Sequence, residues 1–546
     1  MNTRITRRSL LAAGLGVAVA GPLSACTSSG AGGSGMGDMP GMSHGGTSAP
    51  SSATARLIAP DSATVAAVEA KRRSSGRTVK VSLTAASGTV DLAGTVARTW
   101  MFDDRLPGPV IRLSAGDVLD ATVANHLPAP TAVHWHGLAL RNDMDGVPPV
   151  TQRAIAAGGS FRYRFLAERP GTYWFHPHVG VQLDRGLYGA MIVEDPREPL
   201  AYDDEWVVVL DDWLDGVTGT PDDALAELSA GMGGTGAMGH MDSAGDTGAM
   251  GTRGTGTGSP SAPAGSGARL MLMGATSELL GGDAGDVRYP YHLVNGRPAH
   301  DPETFRGRPN RRIRIRLVNA GSDTAYRVAL GGHRLTVTHA DGYPVRHQQA
   351  DAVLIGPGER YDVLVTLGSG VFPLTALAEG KGQAGRALVR TGPGTAPRVG
   401  ARPGELDGRI VAASRLRAAE EVQLPTREPD ITHRIRLTGG MEGYDWSLDG
   451  QKFDMTDPTA HPFTVREGRR VRLTFVNRTA MWHPMHLHGH TFRLGAAGPR
   501  KDTALVLPGQ TVSCDFDADN PGRWLVHCHN AYHGEAGMMG LLGYLA

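Results

Sequence analysis

The sequence predicts an all-β chain of three consecutive sandwich or barrel domains, and three observations carry that prediction. Short β-branched runs recur between glycine, proline and aspartate turns, as at 79–83, 207–210, 313–318 and 471–476. Helical periodicity is scarce outside 63–73 and 222–229. At 546 residues there is length for about three domains, and one segment echoes another. Val471-Arg472-Leu473-Thr474-Phe475-Val476-Asn477 follows the pattern of Ile315-Arg316-Leu317-Val318-Asn319, as duplicated sandwiches would.

In chain order, residues 1–26 read as an export signal. Thr6-Arg7-Arg8-Ser9-Leu10-Leu11 is a twin-arginine start, and the apolar run to Ala20 is too short to span a membrane. The signal ends in Leu23-Ser24-Ala25-Cys26, which resembles the bacterial lipobox, whose cysteine is acylated and becomes the new N-terminus. The expectation is export by the twin-arginine route to the cell envelope. The protein would sit on the outer face of the cytoplasmic membrane or in the periplasm, with a membrane anchor through lipid on Cys26. Residues 27–75 are rich in Gly, Ser and Ala and read as a disordered tether that carries Met36, Met39, Met42 and His44. Domain one spans 76–198. Domain two spans 199–395, with a Gly-rich insert at 231–267 that holds Met232, Met238, His240, Met241 and Met250. Methionine in a polar, Gly-rich loop packs against nothing, and thioethers are soft ligands that select Cu(I). A polar, proline-containing linker follows at 396–429, and domain three fills 430–546. The 54 basic and 54 acidic residues balance, so there is no electrostatic footprint for nucleic acid.

The chemistry is concentrated in His527-Cys528-His529, followed by His533 and Met538. On an extended strand His527 and His529 point one way and Cys528 the other. One strand can then serve two metal sites through adjacent peptide units. A Cys528 thiolate, an imidazole from His533 and a weak thioether from Met538 suit a blue-copper centre. His527 and His529 are left for a second cluster on the opposite face. Three further clusters supply partners: His483-Pro484-Met485-His486-Leu487-His488-Gly489, His134-Trp135-His136-Gly137 and His176-Pro177-His178. One H-x-H pair is weak evidence, because paired histidines also occur on solvated strands. Four clusters with this spacing point to several bound metal ions. Domain two holds no such cluster, so it reads as a spacer, and the metal site joins domains one and three.

These residues resemble the multicopper oxidases, of the three-domain bacterial copper-resistance and laccase-like type, over nearly all of 79–546. The resemblance implies three cupredoxin-like Greek-key domains. Residues 317–322 and 356–362 are similar to the family's middle domain. It also implies four copper ions. A type 1 copper would be held by His483, Cys528, His533 and Met538, and a type 2 copper by His134 and His486. A type 3 pair would be held by His136, His176, His178, His488, His527 and His529. The implied reaction is one-electron oxidation of a substrate coupled to four-electron reduction of dioxygen to water. Substrates would be Cu(I), in copper detoxification, and phenols, with the Met-rich segments favouring Cu(I); a monomer is expected. The alternatives are a laccase-like phenol oxidase with incidental methionines and a copper-storage lipoprotein without turnover.

Oxygen reduction consumes protons, and nearby carboxylates can relay them. Asp145 matches the family's proton-delivering aspartate, with Asp143 as the alternative. Relatives often carry a glutamate directly after the second type 1 histidine; here Gly534 takes that place and Glu535 follows, so Glu535 would act through a shifted geometry. His490 reads as a packing residue beside the ligands, and Cys514, on an alternating strand, as a small buried hydrophobe.

Overall fold

The computed structural model describes residues 56–231 and 269–546. The four β-branched runs lie in the strands Thr78–Asp91, Asp204–Trp213, Arg312–Asn319 and Arg470–Asn477. Alternation sets the faces. In Thr78–Asp91, Leu83 and Ala85 are buried, whereas Lys80 and Ser82 are exposed.

Each third of the chain forms two sheets closed on one core, the three-sandwich architecture expected. In the first, Val96–Phe102, Thr78–Asp91, Asp117–Asn125 and Ser160–Ala167 make one sheet. Ile111–Ser114, Gly189–Glu194, Gly171–His176 and His134–His136 make the other. Trp135, Tyr163, Phe165 and Phe175 fill the space between. The second sandwich has sheets of seven and six strands around Ile315, Val337, Tyr361 and Val363. The third has sheets of six and five strands around Trp446, Phe475, Met485 and Trp524. In each, the entering strand pairs in parallel with a later one: Thr78–Asp91 with Asp117–Asn125, Asp204–Trp213 with Arg312–Asn319, and Ile431–Thr438 with Arg470–Asn477. Parallel pairing excludes a tight hairpin there and requires a crossover.

The repeat extends to a third copy that the sequence comparison did not reach. Asn125, Asn319 and Asn477 each end the later strand and are fully buried. Each side-chain amide donates to two carbonyls: Ala129 and Ile155, Thr324 and Ile355, Met481 and Val506. Each Oδ1 accepts from the N–H two residues on, at Leu127, Gly321 and Thr479. This Asx turn ends the strand and ties it to the rest of its domain.

Two assigned segments differ from expectation. Residues 56–75, assigned to the tether, are part of the fold. Ile58 N–H donates to Tyr544 O at 2.8 Å, and helix α1 (Ala63–Lys71) buries Val65 in the third core. Burial of Ile58 and Val65 holds the segment down; residues 27–55 lie outside the described residues. Part of the linker 396–429 belongs to the second sandwich, where Ile410–Val411 pairs with Ala352–Ile355 and Val411 and Leu416 join the core, while Pro425 and Arg427 bond to the third.

The elements that position the histidines are β1 (His134–His136), β2 (Gly171–His176), β3 (His483–Leu487), β4 (Arg523–Cys528) and the short helix α2 (Ala531–Glu535). A third helix, Pro221–Ser229, starts at Thr220, whose Oγ1 accepts from Asp223 N–H while the Asp223 carboxylate accepts from Thr220 N–H.

Candidate metal centre

β1 and β2 pair antiparallel with His134 opposite His176, and β3 and β4 pair with His486 opposite His527 and Met485 opposite Cys528. The pleat sends Trp135 into the first core and leaves His134 and His136 on the other face. In β4 it sends Cys528 into the third core, away from His527.

On the Cys528 face, Sγ lies 3.6 Å from His483 Nδ1 and 3.7 Å from His533 Nδ1, and the two Nδ1 atoms are 3.0 Å apart. The outer nitrogens are engaged. His533 Nε2–H donates to Asp286 Oδ2 at 2.8 Å, and His483 Nε2–H donates to Thr479 Oγ1 at 2.8 Å. His483 Nδ1 therefore turns a lone pair toward the sulfur, and His533 Nδ1 offers one once it gives up its proton. Asn530 caps α2 by accepting from Tyr532 N–H and His533 N–H, which folds His533 back beside β4. Cys528 N–H donates to Met538 O at 3.0 Å, and the Met538 side chain is buried in the same apolar cluster. Burial opposes a charge on His533, but the Asp286 carboxylate and then Cys528 outweigh it and lift its pKa to about 10.

On the other face eight imidazoles converge. His136, His176 and His529 form one triad, His178, His488 and His527 a second, and His134 with His486 adjoins His136; within each group the ligand nitrogens lie inside 4.8 Å. Hydrogen bonds set the tautomers. His134 Nδ1–H donates to Asp145 O, His176 Nδ1–H to Pro177 O, His486 Nδ1–H to Asp502 O and His527 Nδ1–H to Cys528 O. The Nε2 atoms of His134, His176 and His486 are left buried with no hydrogen-bond partner, as are His136 Nδ1 and both ring nitrogens of His529. His488 Nε2 faces His527 Nε2 at 3.0 Å while the Nδ1–H of each ring is engaged elsewhere. Two lone pairs at that distance repel unless a cation lies between them. Burial holds His136, His176, His178, His488 and His529 well below the usual imidazole range and His527 down to about 3, with neighbouring imidazoles adding to the effect. Neutral imidazoles with unused lone pairs, beside a thiolate site, fit copper.

Three multicopper oxidase family models match in succession, over residues 84–198, 204–392 and 426–543. The chain belongs to the multicopper oxidase family. It is 46% identical over 496 residues to multicopper oxidase MmcO of Mycobacterium tuberculosis, covering 90% of this chain and 92% of that one. A copper resistance protein A homolog of Pseudomonas syringae pv. tomato is 28% identical, over 84% of this chain and 90% of its own. A solved multi-copper oxidase from Pseudomonas thermotolerans superposes with TM-score 0.62 at 26% identity, covering 86% of this chain and all of that one. The fold is thus that of three cupredoxin-like domains, and the protein is a copper-binding oxidoreductase.

In this multicopper oxidase Asp145 is buried between two imidazoles: Oδ2 accepts from His488 Nδ1–H at 2.9 Å, and Oδ1 lies 3.2 Å from His134 Nδ1. Asp143 instead pairs with Arg141 at 2.6 Å. Glu535 is an exposed residue, yet it also lines a cavity of about 30 Å³ with His176, His178, His527, Cys528 and His529. Neighbouring atoms withhold water from its carboxyl and raise its pKa, with Asp222 adding to the rise. His490 stays out of the metal groups; its Nδ1–H donates to His488 O at 3.0 Å and its Nε2 accepts from Tyr544 O–H at 2.6 Å. Cys514 is a free, buried core residue.

Domain two does more than space the other two. Asp286 binds His533, and Arg360 donates to both carboxylate oxygens of Asp502 at 2.7 and 2.6 Å. Asp502 Oδ1 accepts from His136 Nε2–H at 3.1 Å. Burial works against the Asp502 charge, but Arg360 outweighs it and holds the carboxyl well below the usual range. The sequence reading missed Asp286 and Asp502. Neither sits in a metal-binding pattern, and their partners lie 247, 142 and 366 positions away.

Proposed function

We propose that this multicopper oxidase is a cuprous oxidase of copper detoxification that couples oxidation of Cu(I) to reduction of dioxygen to water. Its type 1 ligands are His483, Cys528, His533 and Met538, its type 2 ligands His134 and His486. Its type 3 ligands are the two triads His136, His176, His529 and His178, His488, His527. The observation that carries the reading is the two imidazole triads meeting beside an imidazole pair, one peptide unit from a buried thiol with two imidazoles. Copper in these sites supplies one-electron chemistry and the binding and reduction of dioxygen. The chain's own part is arrangement. His527 and His529 flank Cys528, which leaves a short covalent path between the two donor groups. Asp145, on His488 and His134, and Glu535, on the small cavity, stand where protons are needed.

Two features favour Cu(I) over phenols. His483 and His533 are fully buried, so a phenol finds no imidazole edge to meet. The Met-rich insert and its methionines lie outside the described residues. The segments that flank the insert supply Leu228, Leu270 and Met271 to the same apolar cluster as Cys528 and Met538. An oxygen electrode decides: the copper-loaded protein consumes oxygen with Cu(I) faster than with a phenol. Faster phenol oxidation would make it laccase-like, and no uptake with either would make it a storage protein. The twin-arginine signal, the lipid on Cys26 and the monomeric state complete the reading. The signal and Cys26 lie outside the described residues, and no described helix is long and apolar enough to cross a membrane.

A further inference from the structure

Arg360 and Asp502 are both fully buried, and their ion pair joins all three sandwiches. Arg360 lies in the second sandwich. Besides its two bonds to Asp502, it donates from Nε to Thr172 O of β2 at 3.2 Å and from Nη1 to Gly358 O at 2.9 Å. Asp502 lies in the third sandwich and reaches an imidazole on each side. Its Oδ1 accepts from His136 Nε2–H of the first sandwich at 3.1 Å, and its main-chain oxygen accepts from His486 Nδ1–H of the third at 2.9 Å. Each bond sets a tautomer. It leaves His136 Nδ1 and His486 Nε2 bare, and both atoms are buried without another partner. The two rings lie stacked, centroids 3.8 Å apart and planes 14° from parallel.

The local sequence makes room for the pair. Gly137 follows His136 at φ +88°, and a Cβ there would come within 2.3 Å of Arg360 Nη2 and 2.8 Å of Asp502 Oδ2. The glycine after H-W-H therefore admits the guanidinium and carboxylate beside the metal-binding strand. A lysine at 360 would keep the charge and lose the planar fork that holds both carboxylate oxygens and Thr172 O at once.

We propose that Arg360 is a positioning residue for the trinuclear copper site: it orients Asp502, which holds His136 and His486 in the tautomers that bind metal. The inference rests on the assignment of those two histidines as copper ligands. Through this contact the middle domain, which carries no histidine cluster, shapes the site.

The test compares the copper-loaded protein with its Arg360→Lys, Asp502→Asn and Arg314→Lys forms. Arg314 is a similarly buried guanidinium of the same sandwich, bound to Asp362 and Glu198 rather than to a carboxylate that holds a ligand histidine. Readouts are copper affinity and content per chain, the type 2 signal in electron paramagnetic resonance, the blue band, and circular dichroism for folding. An unmodified protein without a type 2 signal would defeat the ligand assignment itself, before any variant is judged. With that signal present, Arg360→Lys and Asp502→Asn are expected to alter it and to weaken trinuclear copper binding roughly ten- to a hundred-fold, with the blue band unchanged. Arg314→Lys should keep both. The proposal is overturned if both test variants keep the type 2 signal and copper affinity, or if Arg314→Lys loses as much. It is also overturned if neither test variant folds while Arg314→Lys does, which would make the pair a structural ion pair alone.

Discussion

Replacing the three turn asparagines one at a time separates what holds a sandwich together from what holds a copper ligand. Asn477 makes four side-chain hydrogen bonds: two donated to Met481 O and Val506 O, two accepted from Thr479 N–H and Oγ1–H. At roughly 1 kcal/mol each, Asn477→Ala is expected to cost about 4 kcal/mol, and more if the bared carbonyls stay dry. Asn125 and Asn319 make the same three bonds without the hydroxyl, so their alanine variants should each cost about 3 kcal/mol. Calorimetry on copper-free protein would read this as a transition lowered by roughly 10 °C in one domain. Copper must be absent because ligand binding adds its own stabilisation. The three variants diverge when copper is added. Thr479 Oγ1 accepts from His483 Nε2–H at 2.8 Å, and Asn477 is what orients that hydroxyl. Only Asn477→Ala should weaken type 1 copper binding and shift the blue band. An Asn477→Ala protein with an unchanged blue band, or losses below about 1 kcal/mol at all three positions, would refute the reasoning.

Other perturbations probe other parts of the molecule. Cys528→Ser should abolish the blue absorption and leave trinuclear copper in place, because only the type 1 site uses a thiolate; a variant that stays blue removes the assignment. Cys26→Ala should move the mature protein from the membrane fraction to the soluble one, and a wild type found wholly soluble would end the lipoprotein reading. Excision of 232–250 should slow Cu(I) oxidation and spare phenol oxidation in oxygen-uptake assays; an equal fall in both would signal a folding defect. His292 belongs to none of the metal-capable groups. Burial lowers its pKa to about 3, so the unfolded chain takes up its proton first and the fold loses stability as pH falls below the ordinary imidazole range. That loss amounts to about 2 kcal/mol between pH 6.5 and 5. His292→Gln should flatten the acid limb of copper-free unfolding, and an unchanged limb would show that the imidazole is not held neutral.

The parts of the site that could be read from the sequence are those with local periodicity. His134 and His136, or His527 and His529, declare a shared face at two-residue spacing, and Cys528 between them declares the opposite one. Strand pairing then did the rest, bringing His134 opposite His176 and His486 opposite His527. Asp145 could be found through the family resemblance, because it lies nine residues from His136. Arg360 sat in a stretch, 356–362, read only as similar to the family's middle domain, and nothing in its neighbours announced a contact 142 positions away with Asp502. Residues 56–75 were misread for the opposite reason. The tether was drawn past the end of the Gly- and Ser-rich stretch and over the helical periodicity at 63–73, and Ile58 and Val65 meet a core supplied by the far end of the chain.

The middle sandwich explains why three domains are present when the histidine clusters come from two. Imidazoles that are to offer a lone pair to metal need nearby acceptors to fix their tautomers. Asp145 and Asp502 supply them, directly or through the main chain, for His134, His136, His486 and His488. A carboxylate buried that deeply is costly unless a cation shares its site. Neither outer sandwich provides one for Asp502; Arg360 of the middle sandwich does. The same domain places Asp286 on His533, where it also accepts from Tyr444 OH at 2.8 Å. The histidine clusters supplied by domains one and three are therefore held by charges lodged in domain two. Loosening the Arg360–Asp502 contact should therefore cost trinuclear copper before it unfolds the first or second sandwich, each of which keeps its own core.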